Sequence, residues 1–147
     1  MHLLTTSGYG YSEQLCESIV DWFLTKFLPK HKLYIGIEHK ELEGPYGFCD
    51  VDSDYGDIHR PRDFVIDLQS NLPKTTYTIT LIHELVHLRQ MVKGQIKYKS
   101  GRMTWDNVKV SDMDYAVQPH EIEAFDSEWP LYLDYIWDTI GEWYGDD

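Results

Sequence analysis

From Thr75 to Gly94 the chain places apolar residues around most of a helical circumference, and in the middle of that run stands His83-Glu84-Leu85-Val86-His87. Ile79, Leu81, Ile82, Leu85, Val86 and Leu88 leave little of such a helix for water. The spacing therefore predicts a buried central helix, capped at Thr75 or Thr76 and ending near Gly94. Two histidines and a glutamate inside a buried helix are costly unless a partner compensates them. A polar cleft along one side of this helix would compensate them. His83 and His87 are four residues apart, so their rings project from one face. Thr76, Thr80 and Gln90 share that face, with Ile79 interrupting it.

Two neutral imidazoles at this spacing can ligate one Zn²⁺. Glu84, one position after the first histidine, can reach a metal-held water without binding the metal itself. In this HExxH arrangement zinc lowers the pKa of the water to about 7, and the glutamate takes its proton and later passes it to the leaving amine. Such a site needs a third protein ligand and one open position. No histidine lies between His87 and His120, and the segment Pro119-His120-Glu121-Ile122-Glu123-Ala124 is the evident supplier. Glu121 is our choice. It shares a helical face with Ala124, whose small side chain permits close helix approach, while Ile122, Phe125 and Trp129 form a neighbouring apolar stripe expected to seat the helix. Glu123 points roughly opposite, toward Asp126 and Ser127, a face read as solvated. His120 and Glu123 stay open as alternative ligands. Peptide hydrolysis also needs a donor to a developing oxyanion. Tyr115 is our catalytic candidate for that role, with His120 and Tyr98 as alternatives.

The rest of the chain reads as one α+β domain over residues 1–147, a length that suits a single core. Ser12 is a plausible cap for a helix whose Leu15, Ile19, Phe23 and Phe27 recur at helical spacing until Pro29. Leu33–Ile37, Tyr46–Val51 and Asp63–Leu68 read as strands, giving a small antiparallel or mixed sheet of about three strands. Asp50, Asp52 and Asp54 invite a calcium-loop reading, but Tyr55 and Pro61 stand where that loop needs glycine and glutamate. Tyr98 to Val110 has hairpin character, with turns expected at Gly101 and at Asp106-Asn107. A final helix is expected from Pro119, kinked or interrupted at Pro130.

Composition narrows the partners. The formal net charge is −12, and from Ser111 to Asp147 eleven Asp and Glu occur with no Lys or Arg. Phosphate backbones are repelled by such a surface, so no nucleic-acid partner is expected. The acidic balance serves solubility, or in a sharper reading a preference for basic substrates or partners. Residues 1–7 lack the basic start and apolar run of a secretory signal, no stretch suits a membrane span, and Cys16 and Cys49 make no disulfide framework. A cytoplasmic setting is the expectation.

The pentad His83–His87 followed by Glu121-Ile122-Glu123-Ala124 resembles the gluzincin metallopeptidases, above all their small ImmA/IrrE-type and SprT-like forms, phage-encoded ones included. The likeness spans residues 33–129 in the order strands, motif helix, ligand helix. It implies a zincin-like fold, a peptide or protein substrate, and zinc bound by the first glutamate of a Glu-x-x-Ala helix, here Glu121. It also implies an edge strand beside the motif helix, at Phe64–Leu68, that pairs with extended substrate. Two departures stand out. The third histidine usual in SprT-like proteins is missing, and Phe125 replaces the aspartate found four residues after the ligand glutamate, so support for a zinc-binding histidine must come from elsewhere. Two other readings compete with the peptidase. One is a metallohydrolase acting on a non-peptide substrate. The other is an acidic interaction or decoy protein with a structural metal, which the intact Glu84 does not suit.

Overall fold

The computed structural model describes residues 2–52, 60–99, 102–110 and 113–144. The chain begins with a strand absent from the sequence reading, β1 (His2–Gly8). It crosses through α1 (Glu13–Phe27) to β2 (Leu33–Lys40), which lies parallel to β1 with Leu4 opposite Ile35. The Ser12 side chain accepts from the Leu15 amide at 3.2 Å and so caps α1, as its position before the apolar run implies. β3 (Gly47–Val51) and β4 (Asp63–Gln69) complete a mixed four-stranded sheet in the order β1-β2-β4-β3. β4 is parallel to β2 and antiparallel to β3.

Two expectations are corrected here. The main sheet has four strands rather than about three, because His2–Gly8 alternates weakly and carries threonine and serine where a strand signal needs apolar residues. The strand at 64–68 is not an edge either. β4 is paired on both sides, and the edge strand next to it is β3. Asp54, Tyr55 and Gly101 lie outside the described residues, as does the side chain of Tyr98.

One face of the sheet is apolar. Leu33, Ile35, Ile37, Phe64, Ile66 and Leu68 are buried, while Tyr34, Glu38 and Val65 alternate to the outer face. The inner face packs on α1, through Leu15, Ile19, Val20 and Phe23, and on α2 (Lys74–Val92), which is buried on nearly all sides. Each such side chain, fully buried, contributes about 1.5–3 kcal/mol. α2 starts two or three residues earlier than a cap at Thr75 or Thr76 would set it. Its N-cap is Pro73 with no side-chain cap, and the fixed φ of −57° at Pro73 leads directly into the first turn. Gly94 ends the helix at φ +78°, a conformation glycine takes without strain.

A second sheet follows, β5 (Ile96–Lys99), β6 (Arg102–Trp105) and β7 (Val108–Lys109), antiparallel throughout. Asp106 and Asn107 both take positive φ, the two-residue turn expected there. A short 3-10 turn at Tyr115–Val117 leads into α3 (Pro119–Tyr144). α3 runs through Pro130 without interruption. Pro130 is exposed, so the amide hydrogen bond it forgoes lies at the solvent side of the helix.

α3 is also seated differently from expectation. Ala124, Leu131 and Tyr135 are buried against the core, and the Tyr135 hydroxyl meets Ser18 Oγ at 2.8 Å. Asp138 accepts from Trp22 at 2.9 Å and pairs with Lys26 at 3.0 Å. Ile122, Phe125 and Trp129, the stripe expected to seat the helix, are exposed. Both stripes have helical periodicity, and the buried Ala124 lies on the inward one. Among the described residues no helix is long and apolar enough to cross a membrane.

Candidate metal centre

α2 carries His83, Glu84 and His87 into the interior, and α3 brings Glu121 to meet them. His83 Nε2 and His87 Nε2 stand 3.2 Å apart, with Glu121 Oε1 at 3.1 Å from the first and 2.8 Å from the second. All three side chains are buried, and together they form a group that could hold a metal ion. The outward ring nitrogens are each committed. His83 Nδ1 lies 2.7 Å from Glu128 Oε1, and His87 Nδ1 lies 2.8 Å from Gln90 Oε1. An oxygen acceptor at Nδ1 keeps the proton there and turns the Nε2 lone pair of a neutral ring inward. Two inward lone pairs and a carboxylate oxygen converging within about 3 Å repel one another unless a cation or proton lies among them.

The electrostatics agree. Burial alone would lower the His83 pKa, but hydrogen bonds to Glu121 and Glu128 reverse this and hold it at about 9. Burial would raise the Glu121 carboxyl, yet His83, His87 and Tyr115 together hold it well below the usual carboxylate range. Both shifts have the same origin, imidazole nitrogens and a carboxylate facing one another at hydrogen-bond distance inside the protein.

Glu84 is buried and flanks the triad. Burial raises its carboxyl to about 6 against the lowering pull of His87 and His83. It packs against the edge strand at Gly47, where a Cβ would come within 3.0 Å of Glu84 Cγ and 3.1 Å of Oε2. Only glycine lets β3 approach the carboxylate this closely. Triad and Glu84 line a cavity of about 420 Å³, walled by Gly47, Phe48 and Cys49 of β3 on one side and by Met91, Ile96 and Met103 on another.

Tyr115 lines this cavity too, and its hydroxyl donates to Glu121. Burial and that carboxylate push its pKa above the ordinary tyrosine value, so the proton stays on the oxygen. Of the alternative ligands, His120 is buried with its ring 5.5 Å from that of His87, and its Nδ1 finds no hydrogen-bond partner among the described residues. It stands outside the converging group. Glu123, read as solvated, is half-buried and accepts from Gln90 Nε2 at 3.0 Å, while the same amide donates to the His120 carbonyl at 3.1 Å. It helps hold the side chain that holds His87.

Glu128 was missed. It stands seven residues, two helical turns, after Glu121 and so on nearly the same face, a signal that extending the spacing argument by one more turn would have found. Phe125 packs its ring edge-on against His83 with centroids 4.7 Å apart. Glu128 and Phe125, one turn apart on α3, thus meet the same ring, one through a hydrogen bond and the other through an edge contact. No protein-family model, curated protein or solved structure matches this chain, and its chemistry has to be read from these residues.

Proposed function

We propose that this chain is a zinc-dependent peptidase of the zincin type, with His83, His87 and Glu121 as metal ligands and Glu84 as general base. The observation that carries the proposal is Glu84, a buried carboxylate beside three converging donor atoms on the wall of an open cavity. A purely structural metal site closes its fourth position and needs no base.

Zinc suits the donor set. Two imidazoles and one carboxylate, with a side left open, are ligands typical of a catalytic zinc. Ligand atoms about 2.0–2.1 Å from a tetrahedral zinc stand about 3.3–3.4 Å apart, and the three atoms here are separated by 2.8, 3.1 and 3.2 Å. Opening by a few tenths of an ångström accommodates the ion. When bound, zinc supplies Lewis acidity to a water and to the substrate carbonyl.

The remaining steps belong to the chain. Glu84, with its carboxyl near 6, is ionised at neutral pH and accepts a proton from the attacking water, then returns it to the leaving nitrogen. Tyr115 keeps its proton and can turn from Glu121 to donate to the developing oxyanion. The edge strand β3 borders the cavity and offers backbone groups to an extended peptide, while Met91, Ile96 and Met103 form an apolar recess for one substrate side chain. That edge is what favours a peptide over another hydrolysable group.

Glu84→Gln tests this reading. We expect the zinc-loaded variant to retain its metal and lose about 10²- to 10⁴-fold in turnover of a mixed peptide library. Undiminished turnover with metal retained would remove Glu84 from the chemistry.

A further inference from the structure

α3 has two apolar faces, and among the described residues only one of them is covered. Ala124, Leu131 and Tyr135 enter the core, while Ile122, Phe125, Trp129, Leu133, Trp137 and Ile140 follow the helical repeat along the opposite side, between 44% and 77% exposed. The stripe extends about 27 Å and presents apolar area on the order of 600 Å². An isolated exposed leucine needs no explanation, whereas a continuous stripe containing two tryptophans marks an interaction surface. Its first turn adjoins the candidate metal centre, because Phe125 packs on His83 and borders a small recess shared with Glu84 and Tyr115.

Charge selects the occupant. α3 carries seven Asp and Glu and no Lys or Arg. Asp126 and Asp134, both exposed, fall along one border of the stripe by the 100° step of the helix. A second copy of this chain would set acid against acid and join two molecules of net charge −12. A membrane surface lacks its usual electrostatic partner, since the helix has no basic residue for anionic headgroups. We propose that this stripe docks an amphipathic helix of a partner protein that carries Lys or Arg along one edge of its apolar face. Such a helix of about 18–20 residues matches the stripe in length, and with its flanks it approaches the ~800 Å² per partner of a stable interface. Docking stands on the surface alone. That the docked protein is also the substrate rests on the peptidase reading, because the stripe leads to the mouth of the cleft.

The test uses the full chain and three synthetic 20-residue helical peptides: one with an apolar stripe and lysines along one edge, one with glutamates replacing those lysines, and a scrambled control. Calorimetry and tryptophan fluorescence are read on wild type, on the Trp129→Ala/Trp137→Ala variant and on Asp126→Lys/Asp134→Lys. We expect one-to-one binding of the lysine peptide, weaker by about tenfold or more for the other two peptides and in the tryptophan variant. In the lysine variant the preference should shift toward the glutamate peptide. Equal affinity for both charged peptides, or none for either, overturns the proposal. A concentration-dependent dimer that Leu133→Asp dissociates assigns the surface to a second copy and overturns it too, as does partition into phosphatidylcholine vesicles without peptide binding. Cleavage is scored separately, so binding without cleavage would sustain the docking surface and count against the peptidase.

Discussion

Glu128 and Gln90 decide what His83 and His87 can do. A ligand histidine is only as good as the group on its other nitrogen, which sets the tautomer and the ring orientation. Here one ring leans on a carboxylate at 2.7 Å and the other on an amide at 2.8 Å, itself tethered to Glu123 and to the His120 carbonyl. The two supports should differ in strength, since a hydrogen bond to a charged group is roughly twice as strong as a neutral one. Glu128→Gln keeps the shape of the His83 support and removes its charge. We expect metal affinity to fall by about 10- to 100-fold with the fold intact, measured by competition with a chromogenic chelator. Unchanged affinity would mean that Glu128 is a bystander.

Among the elements, α2 joins the sheet to α3, and a second polar contact ties it to β2. His39 is wholly buried between the rings of Tyr11 and Tyr77, its Nδ1–H donating to the Ser7 carbonyl and its Nε2 accepting from the Tyr77 hydroxyl at 2.8 Å. Burial holds its pKa below the ordinary 6.5. The unfolded chain therefore takes up this proton first as pH falls. The contribution of His39 to stability is complete above about pH 6.5 and is lost as the pH drops through the folded-state value. Urea midpoints for wild type and His39→Gln should converge between pH 7.5 and pH 5, and a pH-independent gap would contradict this.

The elements also differ in how clearly their residues announced them. α1 and α2 were plain because long apolar runs at helical spacing have few other uses, and Ser12 and Gly94 marked two of their ends. β1 was not, since His2-Leu3-Leu4-Thr5-Thr6-Ser7 lies at a sheet border with little inward apolar face. The place of the 63–69 strand inside the sheet rather than at its edge depends on pairing between distant segments, which no local pattern records. Within the site, His83, Glu84, His87 and Glu121 were legible from spacing and helix faces. Glu128 was not, because a carboxylate two turns beyond Glu121 on an acidic helix is equally at home on a solvated face. The apolar stripe at Ile122, Phe125 and Trp129 was visible, but periodicity alone does not say which of two apolar faces turns inward.

For the molecule as a whole, the proposed ion joins two helices that meet through their polar faces, so metal and fold are linked. A ligand bound only by the folded state stabilises it, by about 4 kcal/mol at a thousand times its dissociation constant. Chelation should therefore lower the melting temperature. Because a metal must displace the proton that Glu121 and Glu128 hold on His83, apparent affinity should rise as pH increases toward about 9 and then level off. A chelator effect that shrinks over that range would contradict the proton-for-metal exchange. The central claim is that His83, His87 and Glu121 hold one zinc beside Glu84, and its most direct test is metal stoichiometry on purified wild type and Glu121→Ala. The account predicts one zinc per chain in the wild type and loss or marked weakening in the variant. No zinc in the wild type, or zinc retained without Glu121, would contradict it.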